Sequence, residues 1–287
     1  MLASLEIISP NTFEVAISWQ THLNVARRMI LARRLTSRTD RVSYFLSRWF
    51  AYLDIVGSLG GGRNAENLLS GDYWAGNDQD TDDSDFQIDC LTGFTSRCGA
   101  LLARVAELAR DCDRQRINEL GEIDPKWHPS DEVQSTAEKL RADLRTARLH
   151  EYRGCPHHNL DPVDDLAESR EMAASNAAFH WAGLIHLDRR VLGKTSADAE
   201  VQLAVNKIIN ALDKTRRGGT AEACLVFPMF TAGCEANEEE ERSKILERMQ
   251  SVEGNGMIQV REARRLMERV WESGMPWETL VDGEFVG

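Results

Sequence analysis

Five aspartates, Asp78, Asp80, Asp82, Asp83 and Asp85, stand within one short stretch. Carboxylates at every second position are how a helix-loop-helix calcium site begins. Such a site needs glycine for its sharp turn where Asp83 stands, and a bidentate glutamate where Asp89 stands. A magnesium-diphosphate reading would need the acids on a helix facing a cavity, and this stretch reads as a solvated acidic loop. His150, Cys155, His157 and His158 form a second cluster. Structural zinc uses four nitrogen or sulfur ligands, usually as two spaced pairs, and no second pair accompanies this one. A turn-rich polar linker accounts for it. The run from Gly57 to Gly62, followed by Arg63 and Asn64, imitates a phosphate-binding loop. It lacks the lysine, the hydroxyl residue and the preceding strand that carry that mechanism, so a helix stop explains the glycines. No G-x-S-x-G, H-E-x-x-H or C-x-x-C occurs, and no nucleophile is paired with a base. The residue pattern points away from an enzyme, with no catalytic, cofactor or metal residue in the chain.

The charge is uneven. The 287 residues carry a formal net charge of -12. Seven arginines against Glu6, Glu14 and Asp40 give the first fifty residues +4, leaving -16 for the rest. This balance opposes nonspecific binding to a phosphate backbone. Arg27, Arg28, Arg33, Arg34, Arg38 and Arg41 read as the solvated sides of two helices, partly paired with the acidic remainder. The six cysteines sit mostly on apolar helical faces, which fits free thiols in a reducing compartment. The apolar start contains Glu6 and lacks a basic leader. The longest apolar uncharged run, residues 223–234, is too short for the ~20 residues of a membrane span.

These side chains must be positioned by helices. Period-2 alternation is nearly absent, while three-four spacing recurs throughout. Ala16, Trp19, Leu23, Ala26 and Ile30 share one face, with Asn11 and Glu14 as a start signal. Phe45, Trp49, Leu53 and Val56 point inward from a helix over about 42–56. An acidic loop covers about 63–87. Leu91, Phe94, Cys98, Leu101, Val105, Leu108 and Cys112 form one stripe of a long helix ending near Leu120. Ser130 caps a helix to about His150, and a linker spans about 153–163. Helices follow over about 165–192 (Ala178, Trp181, Ile185) and over 201–212. Thr220 caps a helix that Pro228 kinks. Two more, over about 238–252 and 257–273, precede a tail, 274–287. The expectation is an all-α array of roughly eight to ten packed amphipathic helices in one regulatory domain over residues 1–287.

Four stretches carry a resemblance: WQTHLNVA from Trp19, residues 88–112, FHWAGLIHLDRR from Phe179, and FPMFTAGC from Phe227, leading into residues 242–249, Val270 and Trp271. Their order and combination resemble the fungal-specific transcription factor domain, found C-terminal to a binuclear zinc cluster. The resemblance implies a nuclear regulatory domain of an RNA polymerase II transcription factor. It implies control through a protein partner, including a homodimer or a related regulator, or through a small apolar effector such as a sterol. It implies no catalytic residues. Zinc and DNA contact belong to an N-terminal cluster of six cysteines that cannot be assembled here, where the first cysteines fall at 90, 98 and 112. The alternative is a DNA-free dimerisation partner or decoy of such regulators; a metal-dependent all-helical enzyme is a second. His180, Trp181 and Phe230 are the expected wall of an effector pocket. The tail, through Trp277, Leu280 and Phe285, is either an amphipathic activation segment or a docked terminus.

Overall fold

The computed structural model describes residues 19–33, 41–61, 86–152, 162–254 and 258–281. The acidic run 78–85, Gly62 to Asn64, Cys155, His157, His158, Arg34, Arg38, Asn11, Glu14, Ala16 and Phe285 lie outside them. The described residues are all-α. The helices are α1 (Trp19–Arg33), α2 (Arg41–Gly60), α3 (Ser96–Arg116), α4 (Asp131–Leu149), α5 (Pro162–His186), α6 (Ala199–Leu212), α7 (Thr220–Cys224), α8 (Val226–Glu235), α9 (Glu239–Glu253), α10 (Ile258–Ser273) and α11 (Trp277–Leu280). A π-helical turn, Leu187–Val191, continues α5. β pairing among the described residues is limited to two isolated bridges, Ile88 with Thr95 and Ile117 with Ile123.

The α5 helix lies at the centre, packed against α3, α4, α6 and α8. Its sequence explains why. Ala174, Ala178 and Ala182 recur every fourth residue and are buried with Phe179, Leu184 and Ile185, so the helix is apolar on several sides rather than along one stripe. Gly183 permits the closest approach: a Cβ there would lie 2.8 Å from Leu102 Cδ2 of α3 and 3.5 Å from Leu144 of α4. One hydrophobic core runs continuously from Trp19 to Trp277.

The stripe at 91–112 is divided by a turn. Cys98, Leu101, Val105 and Cys112 line the buried side of α3, but Leu91 and Phe94 precede the helix. The Asp89 carboxylate accepts from Leu91 N (2.8 Å) and Thr92 N (3.3 Å), and Gly93 takes φ +78°. This local turn competes with helix at those positions. Thr95 then caps α3, accepting from Cys98 N at 3.1 Å. The helix ends at Arg116, before the expected Leu120. Ser130 caps α4 as its position predicts, accepting from Val133 N at 3.3 Å.

Three further boundaries differ from the expectation. α2 continues past Gly57 to Gly60, because Ile55, Val56 and Leu59 are fully buried and that packing outweighs the glycines' helical cost of about 1 kcal/mol each. Phe45 is 50% exposed rather than inward; continuous burial in α2 begins only at Phe50. The helix expected to be kinked at Pro228 is two helices, broken at Leu225. A proline ring clashes with the carbonyl four residues back, and the break places Pro228 in the first turn of α8, where an N–H has no helical partner to lose. Thr220 is the first residue of α7 and Gly219 its cap.

Candidate functional site

Charged residues occupy apolar phases at the centre of the molecule. Asp113 follows Cys112 on α3, and Arg116 stands one turn beyond it. His186 and Arg190, four residues apart, continue the buried face of α5 into the π-helical turn. Asp113 is 0% exposed, Arg190 1% and His186 1%. The Arg190 guanidinium donates to Asp113 Oδ2 from Nε (2.9 Å) and Nη2 (2.6 Å), and to the Leu59 carbonyl from Nη1 (2.7 Å). Arg116 Nε donates to Asp113 Oδ1 at 2.9 Å. Each carboxylate oxygen of Asp113 therefore faces one arginine, and the end of α2 is tied to α3 and α5.

The C-terminal segment completes this cluster. Glu278 of α11, 5% exposed, accepts from Arg116 Nη2. Trp277, 3% exposed, lies under the Arg190 guanidinium at 5.1 Å and meets His186 and Phe230 edge-on at 5.7 and 5.6 Å. Two arginines then balance two carboxylates, and an indole covers one arginine. Burial pushes the Asp113 carboxyl above its ordinary range against the opposing pull of Arg190. Burial also acts on Glu278, but Arg116 and Arg190 outweigh it and hold that carboxyl below the usual range.

His186 is neutral in this setting. Its Nδ1 accepts from Arg190 Nη1 at 3.1 Å, so Nε2 carries the proton and donates to Thr231 Oγ1 at 3.3 Å. Burial, with Arg190 adding to it, holds the imidazole pKa well below its ordinary value. The cluster has no group poised to give or take a proton and no nucleophile. What it can do is hold residues 277–281 against the core.

Among the described residues, no group of three or more histidine, cysteine, aspartate or glutamate side chains could hold a metal ion. His150 stacks on Phe86 at 3.6 Å. The Asp89 carboxylate serves its own turn. Arg27 forms an ion pair with the buried Asp54, joining α1 to α2. His180 is fully buried and donates from Nδ1 to the Asn176 carbonyl at 2.8 Å. Trp181 is half-buried beneath Arg148 at 4.6 Å, while Phe230 belongs to the Trp277 cluster. Neither of two surface clefts, each of about 230 Å³, is lined by His180, Trp181 or Phe230. Leu280 is half-buried against the core.

A model of the fungal specific transcription factor domain matches residues 1–281. The chain belongs to that family. No curated protein and no solved structure matches it significantly. The fungal transcription factor domain is a regulatory domain rather than an enzyme class, so membership carries a role in transcription regulation, in the nucleus, with protein or DNA interactions. Among the described residues, no helix is long and apolar enough to cross a membrane.

The charged residues of the cluster escaped the sequence reading, whereas its aromatic members Trp277 and Phe230 were among the residues it singled out. Asp113, Arg116, His186, Arg190 and Glu278 look like ordinary surface charges. The available signal was their phase: Arg116 continues the stripe that Cys112 appears to end, and Glu278 interrupts an apolar tail. A charge at a core phase is buried only when paired, and the partners lie far away in sequence.

Proposed function

We propose that this domain regulates a fungal RNA polymerase II transcription factor by holding or releasing its C-terminal segment. The observation that carries the reading is the burial of Trp277 and Glu278 against Arg190 and Arg116. A buried ion pair contributes little net stability compared with apolar packing, because desolvation offsets the Coulombic gain; removing one partner is nevertheless costly. A segment held this way has two discrete arrangements separated by a modest free energy. A protein partner or an effector with different affinity for the two shifts the balance. DNA recognition, and the zinc it uses, would come from a zinc-cluster module outside these residues. The His180, Trp181 and Phe230 pocket for a sterol-sized effector is the weaker version. The two clefts fall below the ~300–1,000 Å³ of drug-sized ligand sites.

The test is to tether the full chain to an unrelated DNA-binding domain and read a reporter. Deletion of 275–287, Trp277→Ala and the milder Leu280→Ala should each shift transcription in protein that circular dichroism shows to be folded. An unchanged signal from all three folded variants would end the reading.

A second reading, association with another copy of this chain, is favoured by one observation. Val25 and Met29 on α1 and Val42, Phe45 and Leu46 on α2 are all at least 42% exposed, and two-fold pairing through a shared face is the commonest oligomer. Sedimentation of the wild type against Phe45→Asp decides it: a dimer that becomes a monomer supports it, a concentration-independent monomer removes it.

A further inference from the structure

The ends of α8 and α10 and the start of α9 enclose one of the two clefts, about 230 Å³ in volume. Its lining holds two arginines, Arg189 and Arg242, against a single acid, Glu235. Arg189 Nε already meets Glu235 at 2.7 Å. Arg242 is different. No carboxylate pairs with it among the described residues, and its position is nonetheless fixed. Nε donates to the Ala236 carbonyl at 2.9 Å, and the guanidinium lies over the Trp271 ring at 5.0 Å. The indole is fixed in turn, donating from Nε1 to the Gly233 carbonyl at 2.8 Å.

From this geometry we infer that the cleft binds a small organic monoanion, a carboxylate with a compact apolar body, through Arg242. With Nε and one face engaged, the Nη edge is what remains for a ligand. Two parallel N–H donors on a planar fork match a carboxylate, and a guanidinium already held by its surroundings gives up little freedom on binding. Val270, Met275 and Pro276 supply apolar wall for the ligand's body. Room is available at the rim: Gly274 takes φ +68°, and a Cβ there would meet nothing within 4 Å. The volume suits a single-ring acid and is too small for a polycyclic lipid. The site goes beyond the regulatory reading above. Binding is read on purified protein and segment release on a reporter, so either can fail alone.

The experiment titrates the full chain into 4-fluorophenylacetate and follows the 19F signal. Matched titrations use the neutral 4-fluorophenylacetamide and inorganic phosphate as competitor. Saturable broadening with millimolar affinity is expected for the acid, and about ten- to a hundredfold weaker binding for the amide, the loss of a charge-assisted contact. Arg242→Gln should weaken the acid by the same factor. Arg242→Lys should recover only part of the affinity, because it keeps the charge and loses the fork. Met275→Glu, at a 38% exposed position on the mouth, should also repel the acid, and it keeps the test open if the Arg242 variants misfold. Equal binding of acid and amide, full competition by phosphate, indifference to both substituted positions, or no saturation well above the millimolar range would each overturn the assignment.

Discussion

Glu278 closes on Arg116 across 162 positions of sequence, and both side chains are at most 6% exposed. This one contact joins the last described helix to the end of α3. Glu278→Ala leaves Arg116 buried with only Asp113, which Arg190 already engages, and should cost about 3–5 kcal/mol. Replacing the pair together, Arg116→Met with Glu278→Leu, removes both desolvation penalties and should fall closer to the wild type. Urea unfolding of the two variants checks this. A double variant as unstable as the single one would mean that the charges are not acting as a pair.

Gly233 sets the distance between α8 and α10. A Cβ at this position would lie 1.9 Å from Met267 Sδ and 3.3 Å from Ile245 of α9, so Gly233→Ala must push Met267 aside. The expected loss is about 1–3 kcal/mol, the range for overpacking a tight core. Met267→Ala leaves a cavity on its own but makes room for the new methyl. The double variant should therefore be more stable than the sum of the two single losses, by more than the ~0.5 kcal/mol scatter of independent sites. Strict additivity in denaturant melts would show that the helices relax apart instead.

The fold was largely legible in the sequence because the core helices are strongly periodic. Val201, Ala204, Val205, Ile208 and Leu212 are spaced as a helical face and are buried as one. Boundaries were less legible, since non-periodic forces decide them. Asp89 and Gly93 make a turn inside an apolar stripe, and tertiary burial carries α2 through Gly57. The candidate site was scarcely legible. Its pairs, Asp113 with Arg190 and Arg116 with Glu278, are 77 and 162 positions apart, and no local pattern marks a charge that will be buried by a distant partner.

The cysteines offer a test of the core. Cys98, Cys112 and Cys234 are buried, and Cys224 is half-buried. Burial raises all four thiols, Cys112 and Cys224 to about 11, with Asp113 and Asp89 respectively adding to the effect. Only the thiolate reacts with iodoacetamide. At pH 7.5 the native protein should modify these four at least about a hundredfold more slowly than the same peptides in urea. Peptide-resolved mass spectrometry reads the difference. Rapid native labelling of Cys98 would contradict the packing of α3.

Acid should destabilise the protein well above the carboxylate range. His180 is held at about 4, chiefly by burial, with Arg148 adding to it and the Asn176 carbonyl opposing it. His186 lies well below its ordinary 6.5 for the reasons given above. Both imidazoles are neutral in the folded chain and free to protonate in the unfolded one. Below about pH 6.5 the unfolded state binds the extra protons, so stability rises with pH across the window from 4 to 6.5 and is lost as pH falls through it. Near pH 5 two such groups give a slope of about 2.7 kcal/mol per pH unit, and one gives about half. The depressed carboxyl of Glu278 adds to the loss at lower pH, whereas the raised carboxyl of Asp113 works against it. His180→Gln should halve the slope near pH 5 while leaving the Arg190 cluster intact, because the ring's hydrogen bond goes to the Asn176 carbonyl of its own helix and not to any member of that cluster. Urea midpoints between pH 4.5 and pH 7 measure it. A wild-type stability flat across that interval would mean that both imidazoles are charged in the folded state, and that the Arg190–His186 hydrogen bond does not form.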